Sequence, residues 1–369
     1  MPQPRLMYAA SGPDADMLYA THFFADDPFL WWEVRGKTHI ALSPLEIDRA
    51  RPVARVSQVH ALGEFIPTAA RDLSAAAIIA GIARKYRIGS FLVPGQFPAG
   101  LLEKLRRTRL KITVSEGPFF PQRARKTKEE IAALATALRV AETGLRRGID
   151  VLKASRPDRR GLLKWGGTPL TSERLRAEMD SAVLRAGGSP ANTIVAGGEQ
   201  GCDPHERGHG PLRANEAIVL DIFPRHARTH FFGDLTRTVV RGRASDALRR
   251  QYATVQEGKR WVMKQMRVGA DGTALQSELI GRFKAAGYPT EQRHGRWVGM
   301  FHGVGHGLGL DLHETPRFAA GKLLAGLSIT VEPGLYYPGV GGVRIEDVVI
   351  VGSAGVRNLT RFEEELELR

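Results

Sequence analysis

The spacing of apolar residues changes several times along the chain, and each change marks an element. Ile131, Leu134, Leu138, Ala141 and Leu145 recur at three- and four-residue steps behind Thr127 and Glu130, which have capping-box spacing. This predicts an amphipathic helix that starts at the end of the basic run 123–128 (RARKTK) and loses its period after Leu145. A two-helix coiled coil has the same signature over this length; one helix laid on a core suits the fading pattern better. Upstream, short apolar runs at 40–42 and 90–93 are bounded by turn residues, with good helix formers at 75–86 between them, which predicts a small α/β domain. Pro118, Pro121 and the basic run mark a linker. Beyond about residue 160, helical stretches (172–185, 245–266, 273–286) alternate with strand pairs, 217–223 with 235–240 and 327–331 with 343–351. Helices followed by strand hairpins, twice over, predict an α+β domain with antiparallel sheet and internal pseudo-symmetry. The two halves share too little sequence to count as a repeat. The expected domains are 1–122 and 123–369.

Composition narrows the class. The 369 residues are 43% hydrophobic and 25% charged, ordinary globular usage that excludes wholesale disorder. The single cysteine, Cys202, excludes an internal disulfide and a cysteine-based zinc cluster. The N-terminus lacks the apolar stretch of a secretory signal, and the small-apolar run 75–83 is too short to span a membrane. The expectation is a soluble, cytoplasmic protein without a membrane partner. Net charge is +14, with a pI near 10.2. Proteins that track phosphates cluster that charge on one face or arm, whereas here the basic residues are spread along the sequence, which disfavours a nucleic-acid partner.

The informative residues are acids inside strands. Asp221 interrupts AIVLDIF, Asp234 opens a strand rich in β-branched residues, Glu332 follows ITV, and Glu346 and Asp347 sit inside VRIEDVVIV. Strand alternation puts Arg344, Glu346 and Val348 on one face, and Ile345 and Asp347 on the other. One such acid is a strand-end cap or a salt bridge. Four strand positions of this kind in one domain point to a site, because burying an unpaired carboxylate costs several kcal/mol. The segment HGVGHGLGLDLHE adds His302, His306 and His313. It has no HExxH, and glycines at 303, 305, 307 and 309 oppose a helix and imply close backbone approach. Two aspartates, two glutamates and a histidine form an oxygen-rich set suited to a pair of divalent ions, Mn²⁺ or Co²⁺ first, with Zn²⁺ and Fe²⁺ as further candidates. Four carboxylates balance two such ions, the arrangement of many metal-assisted hydrolases.

In this order, DIF…GDLTRT, GHGLGLDLHE, TVEPGLY and RIED resemble the signature of the pita-bread metallopeptidases, over roughly residues 125–369. That family contains methionine aminopeptidases, Xaa-Pro aminopeptidases and Xaa-Pro dipeptidases. The N-terminal segment resembles, more weakly, the small domain of the Xaa-Pro enzymes and creatinase, which points away from the methionine enzymes. The resemblance implies that Asp221, Asp234, His306, Glu332 and Glu346 are metal ligands. It also implies that Asp234 and Glu346 bridge the two ions and that Glu332 serves as general base. It assigns His205 to proton transfer, in preference to His209, and His313 to the scissile peptide. His302 and Arg344 become substrate-side residues, with an Arg344–Glu346 salt bridge as the alternative for the arginine.

Asp221 and Asp234 stand two residues further apart than is usual in the family, and the addition falls in PRHARTHFFG, read as an exposed basic hairpin arm whose His226 and His230 are not ligands. The glycine-rich 196–201 segment lacks the GK[ST] of a phosphate loop, and Cys202 reads as a small buried residue. The implied activity is removal of an N-terminal residue before a penultimate proline. The alternatives are a dipeptidase for Xaa-Pro, a methionine aminopeptidase and an inactive pita-bread binding protein. A homodimer or larger homo-oligomer is compatible with all of these.

Overall fold

Along Arg5–Ala9 and Phe29–Val34, successive side chains alternate between two apolar cores. Leu6, Leu30, Trp32 and Val34 enter one, packed by helices Ala75–Tyr86 and Ala99–Arg106; Met7, Phe29 and Trp31 enter the other, packed by helices Ala15–Thr21 and Pro44–Ala50. Burial on both faces explains why FLWWEV is almost wholly apolar. From edge to edge the sheet runs Gln58–Ala61, Lys37–Leu42, Phe29–Val34, Arg5–Ala9, Ser90–Val93 and Lys111–Val114. Phe29–Val34 is antiparallel to both neighbours, and every other adjacent pair is parallel. These elements form the first of two compact units, Met1–Arg123 and Ala124–Arg369, in a computed structural model that describes residues 2–66 and 74–369.

The second unit opens with helix Lys128–Ala154, whose capping box closes on both sides. The Glu130 N–H donates to Thr127 Oγ1 at 3.2 Å, and the Thr127 N–H donates to Glu130 Oε2 at 2.8 Å. The helix runs nine residues past the point where its period fades, and Ile149, Val151 and Leu152 are still buried. Glycines hide the stripe. A Cβ on Gly144 would lie 2.5 Å from Ile222 Cδ1, and one on Gly148 2.9 Å from Met179 Sδ, so the buried face needs residues with no side chain there. This helix and Ser172–Arg185 cover a core formed with strands Ile194–Gly197, Ile218–Ile222 and Leu235–Arg241. Helices Asp246–Gln265 and Gly272–Ala285 cover a second core, on strands Glu314–Arg317, His306–Gly307, Ser328–Val331, Asp347–Gly352 and Gly355–Asn358. Two helix pairs on two mainly antiparallel sheets give the α+β pseudo-symmetry that the element order predicted.

One expected strand is two. Residues 343–351 break at Ile345 and Glu346: Gly341–Arg344 pairs with Gly334–Tyr337, and Asp347–Gly352 with Ser328–Val331. Backbone donors are diverted at the break. The Arg344 N–H goes to Thr238 Oγ1 (3.0 Å) and the Glu346 N–H to the Thr236 carbonyl (3.1 Å), which joins the two halves.

Close approach also fixes the 3₁₀ turn Gly198–Cys202, which leads to His205: a Cβ on Gly342 would lie 1.7 Å from the Gly201 carbonyl oxygen. Gly342→Ala is therefore expected to destabilise the protein by about 1–3 kcal/mol or more, since backbone must move. Gly281→Ala, at an open position inside helix Gly272–Ala285, should stabilise by roughly 0.5–1 kcal/mol. Urea unfolding of both variants checks the contrast; equal shifts would contradict the packing described.

Candidate metal centre

Each proposed ligand is placed by a different local constraint. Asp221 lies in Ile218–Ile222, where all five residues are buried, and faces Thr236 across the ladder. Asp234 follows Gly233, whose backbone is pressed against helix Lys128–Ala154; a Cβ there would lie 2.4 Å from the Ala137 carbonyl oxygen. His306 sits in a two-residue strand between Gly305 and Gly307, where added Cβ atoms would meet Thr330 O at 1.9 Å and Glu314 O at 2.8 Å. Glu332 follows Ser328–Val331 and is anchored by its N–H to the Val304 carbonyl at 2.8 Å. Glu346 occupies the strand break.

Among the described residues, Asp234, His306 and Glu346 each present a ligand atom within 4.8 Å of the others. His306 Nε2 stands 3.6 Å from Asp234 Oδ2 and 3.3 Å from Glu332 Oε1. Burial drives the Asp234 carboxyl well above the usual carboxylate range, and Glu346, Asp221 and Glu332 push it further. Glu346 is raised by burial, then by Glu332 and Asp221. Glu332 is raised chiefly by burial, with Arg344 opposing and Asp221 adding. Burial lowers His306 to about 4. The pocket thus holds neutral imidazole among acids that repel one another.

The donor set fits divalent cations. A carbonyl oxygen only accepts, so His306 Nδ1, 3.1 Å from the Gly307 carbonyl, must carry the proton, and Nε2 turns its lone pair to the acids. Asp221 Oδ1 is buried with no hydrogen-bond partner among the described residues. The neighbouring acid supplies the contrast. Asp347 is also buried, yet it receives Arg237 Nη2 at 2.9 Å, Lys259 Nζ at 2.6 Å and Asn358 Nδ2 at 2.8 Å. Among the described residues, the fold supplies cations where an anion is structural and gives Asp234 and Glu346 no Lys or Arg ion pair.

Beside the acids runs an ordered hydrogen-bond chain. His302 Nδ1 donates to the Gly303 carbonyl (2.8 Å), so its Nε2 accepts from the Tyr336 hydroxyl (2.8 Å). That hydroxyl accepts from Arg344 Nη1 (3.0 Å), and Arg344 Nη2 donates to Asp221 Oδ2 (2.7 Å). The buried Arg344 donates to Asp221, to Tyr336 and, from Nε, to Thr236 Oγ1 at 3.5 Å; among the described residues the alternative salt bridge to Glu346 is not formed, and Glu346 Oε2 accepts from Thr236 Oγ1 at 2.7 Å. The exposed His313 packs edge-on to His306, ring centroids 4.3 Å apart. Partial desolvation of the ring, one face of which is open to solvent, lowers its basicity, with Arg317 and His205 adding and Asp221 opposing. His205 is exposed, its N–H held by Asp203 Oδ1 at 3.1 Å.

Other residues stay outside. His209 is held by Gln200 through its N–H and carbonyl. His226 accepts the Thr229 N–H and is buried, so the hairpin read as an exposed arm is tucked in at that point, where 225–226 pairs with 188–189. Burial raises the Cys202 thiol to about 11. Sequence reading passed over Tyr336, Thr236 and the buried Lys126–Glu314 pair (2.6 Å), whose glutamate also accepts the Leu310 N–H at the base of the His313 loop. A hydroxyl in the apolar GLYY run was the available signal for Tyr336.

The sequence model of metallopeptidase family M24 matches residues 132–353. The Xaa-Pro dipeptidase of Pyrococcus furiosus is 30% identical over 247 residues, 65% of this chain and 64% of that protein, so the chain spans just under two thirds of that relative's length. The Xaa-Pro dipeptidase of Pyrococcus horikoshii is 27% identical over 290 residues, 76% of this chain and 75% of that protein. In fold, the X-Pro aminopeptidase of Thermotoga maritima superposes with a TM-score of 0.83 at 19% identity, covering 99% of this chain and 97% of that one. The prolidase of P. horikoshii superposes with 0.78 at 21% identity, covering 99% and 95%. With more than half of its length matched, the chain belongs to metallopeptidase family M24 and has that family's pita-bread fold.

Proposed function

We propose that this metallopeptidase hydrolyses the bond between an N-terminal residue and a following proline, as an Xaa-Pro aminopeptidase. The observation that carries the reading is the convergence of Asp234, Glu346 and Glu332 on a neutral His306, with no Lys or Arg ion pair to these three acids among the described residues. Asp221, Asp234, His306, Glu332 and Glu346 would hold two divalent ions, with manganese or cobalt proposed. When bound, such ions supply Lewis-acid charge that activates water and polarises the scissile carbonyl. Proline lacks an amide hydrogen, so a site that relies on charge at the carbonyl accepts a peptide bond that backbone-reading proteases reject.

The chain's own residues supply the rest. Glu332 takes the proton of the attacking water, its carboxylate held by Thr330 Oγ1 at 3.1 Å. His313, beside His306, hydrogen-bonds the oxygen that gains charge during attack. His205, exposed, delivers a proton to the departing proline nitrogen. His302 has both nitrogens engaged, so it forms a fixed wall for the substrate, and Arg344 holds Asp221 in place.

A dipeptidase is the second reading, and one observation favours it besides the relatives' names. Arg317 is exposed with no ion-pair partner among the described residues, yet its charge reaches His306, His313 and Glu332. A free guanidinium there would receive the carboxylate of a two-residue substrate.

Replacing Asp234 by Asn keeps the shape and removes a charge. Activity should fall by more than the roughly 10–100-fold that losing an outer partner of a metal ligand costs, and bound metal should fall with it. Full activity with full metal content would remove Asp234 from the site. His205→Ala and His313→Ala should retain metal while kcat drops about 10²–10⁴-fold; a metal-free variant would instead make that histidine a ligand. For substrate length, kcat/KM is compared on Ala-Pro, Ala-Pro-Ala-Ala and Ala-Ala-Ala-Ala. The aminopeptidase reading expects the second to be preferred and Arg317→Gln to leave it unchanged. Preference for Ala-Pro, with KM raised about tenfold or more in Arg317→Gln, would establish the dipeptidase.

A further inference from the structure

Basic residues that look scattered in the sequence are gathered by the first unit's sheet. Five of its six strands begin at one end, and Phe29–Val34 finishes there. The turn into Lys37–Leu42 brings Arg35 and Lys37 to that end, and helix Ala75–Tyr86 finishes there with Arg84 and Arg87. Helix Ala99–Arg106 and the segment entering Lys111–Val114 add Lys104, Arg107, Arg109 and Lys111. All eight are exposed, and none has an acidic partner among the described residues. Among the described acids at this end, Glu33 is matched to Arg5 and Glu103 to Arg106, while Glu64, beyond the other end of Gln58–Ala61, reaches back to Lys85. Unmatched positive charge is therefore segregated, since Asp14, Asp16, Asp26, Asp27 and Glu116 lie at the opposite end of the sheet.

Helix dipoles account for Arg84 and Lys104, which sit in last turns. They do not account for Arg35, Lys37, Arg109 or Lys111, which lie outside helices. We propose that this end of the first unit is a surface for the phosphate backbone of double-stranded nucleic acid, bound without regard to sequence. Lys37 and Lys111 stand on strands four intervals apart, so the band is about 19 Å wide at the usual strand spacing. A duplex carries a charge every ~1.7 Å of its axis, and such a band meets several phosphates. Arginine predominates, and its planar fork suits phosphate oxygens. Among the described residues of this unit, the exposed large apolar side chains are Leu45 and Val53, which are not in the turn, helix ends or strand that carry the cations and form no continuous apolar face for a bilayer. Among the described residues of this unit no Phe, Tyr or Trp ring is exposed to stack on unpaired bases, which favours a duplex over a single strand.

The test is fluorescence anisotropy of the full-length, metal-loaded protein with a labelled 24-base-pair DNA of arbitrary sequence, from 25 to 200 mM KCl. Binding is expected at low salt, weakening with a steep log–log slope. The triple variant Arg107→Ser, Arg109→Ser, Lys111→Ser should reduce that slope by about 2–3 and bind at least tenfold more weakly. A matched variant of exposed second-unit residues, Arg260→Ser, Lys264→Ser, Arg267→Ser, should lose less than twofold. None of the six belongs to the candidate site, so unchanged peptidase kcat/KM reports correct folding of both. No binding at 25 mM salt, an unchanged slope in the first variant, or equal loss in the second would overturn the proposal. So would tighter binding to a single strand, or capture by phosphatidylserine vesicles that depends on the same three residues when duplex does not bind.

Discussion

Glu346 and Asp347 are neighbours in sequence, both buried, and differ in one respect. Asp347 is surrounded by protein cations, and Glu346 faces other carboxylates. Buried charge without a partner costs several kcal/mol, and removing one member of a buried pair costs comparably. Much of the second unit can be read as a response to that constraint. Arg237 spends its guanidinium on Asp347 and on the carbonyls of Thr236, Glu346, Phe362 and Glu363, so it braces the backbone at Glu346 without neutralising its side chain. Arg344, whose charge reaches these acids, is committed to Asp221, Tyr336 and Thr236. The compensation missing at Asp234, Glu332 and Glu346 is what a pair of divalent ions would provide.

The same constraint explains the interrupted strand. An unbroken strand 343–351 would keep the Arg344 and Glu346 backbone donors in one ladder. The break sends them to Thr238 and Thr236, on the strand that follows Asp234, and so sets acids from the two halves facing each other. Glycines serve the same end. Gly233, Gly305 and Gly342 stand where backbone passes backbone too closely for a Cβ, which lets Asp234, His306 and the chain leading to His205 approach one another.

Much of this was legible from the sequence because it rests on local rules. Acids within or beside apolar strand-like runs singled out Asp221, Asp234, Glu332 and Glu346, and the capping box at Thr127 fixed the start of the long helix within one residue. What stayed hidden depends on pairing across the chain. Nothing local says that Arg344 chooses Asp221, 123 positions away, over Glu346, or that Asp347 turns to Lys259. The helix beyond Leu145 was masked because its buried face uses Gly144 and Gly148, which carry no hydrophobic signal. Burial of His226 depends on the pairing of 225–226 with a distant two-residue strand, and the gathering of basic residues at one end of the first sheet depends on strand order.

The most direct test of the central claim is the thermal stability of the wild-type protein before and after chelation, with metal content measured on the same samples. An ion at about 100 times its Kd stabilises the folded state by roughly 2.7 kcal/mol, which for a unit of this size is a shift of about 5–10 °C. The account predicts a loss of at least that size when the metal is stripped, with recovery on adding manganese or cobalt. A protein that is demonstrably metal-free and melts at the same temperature would show that these carboxylates need no cation, and the account would fail.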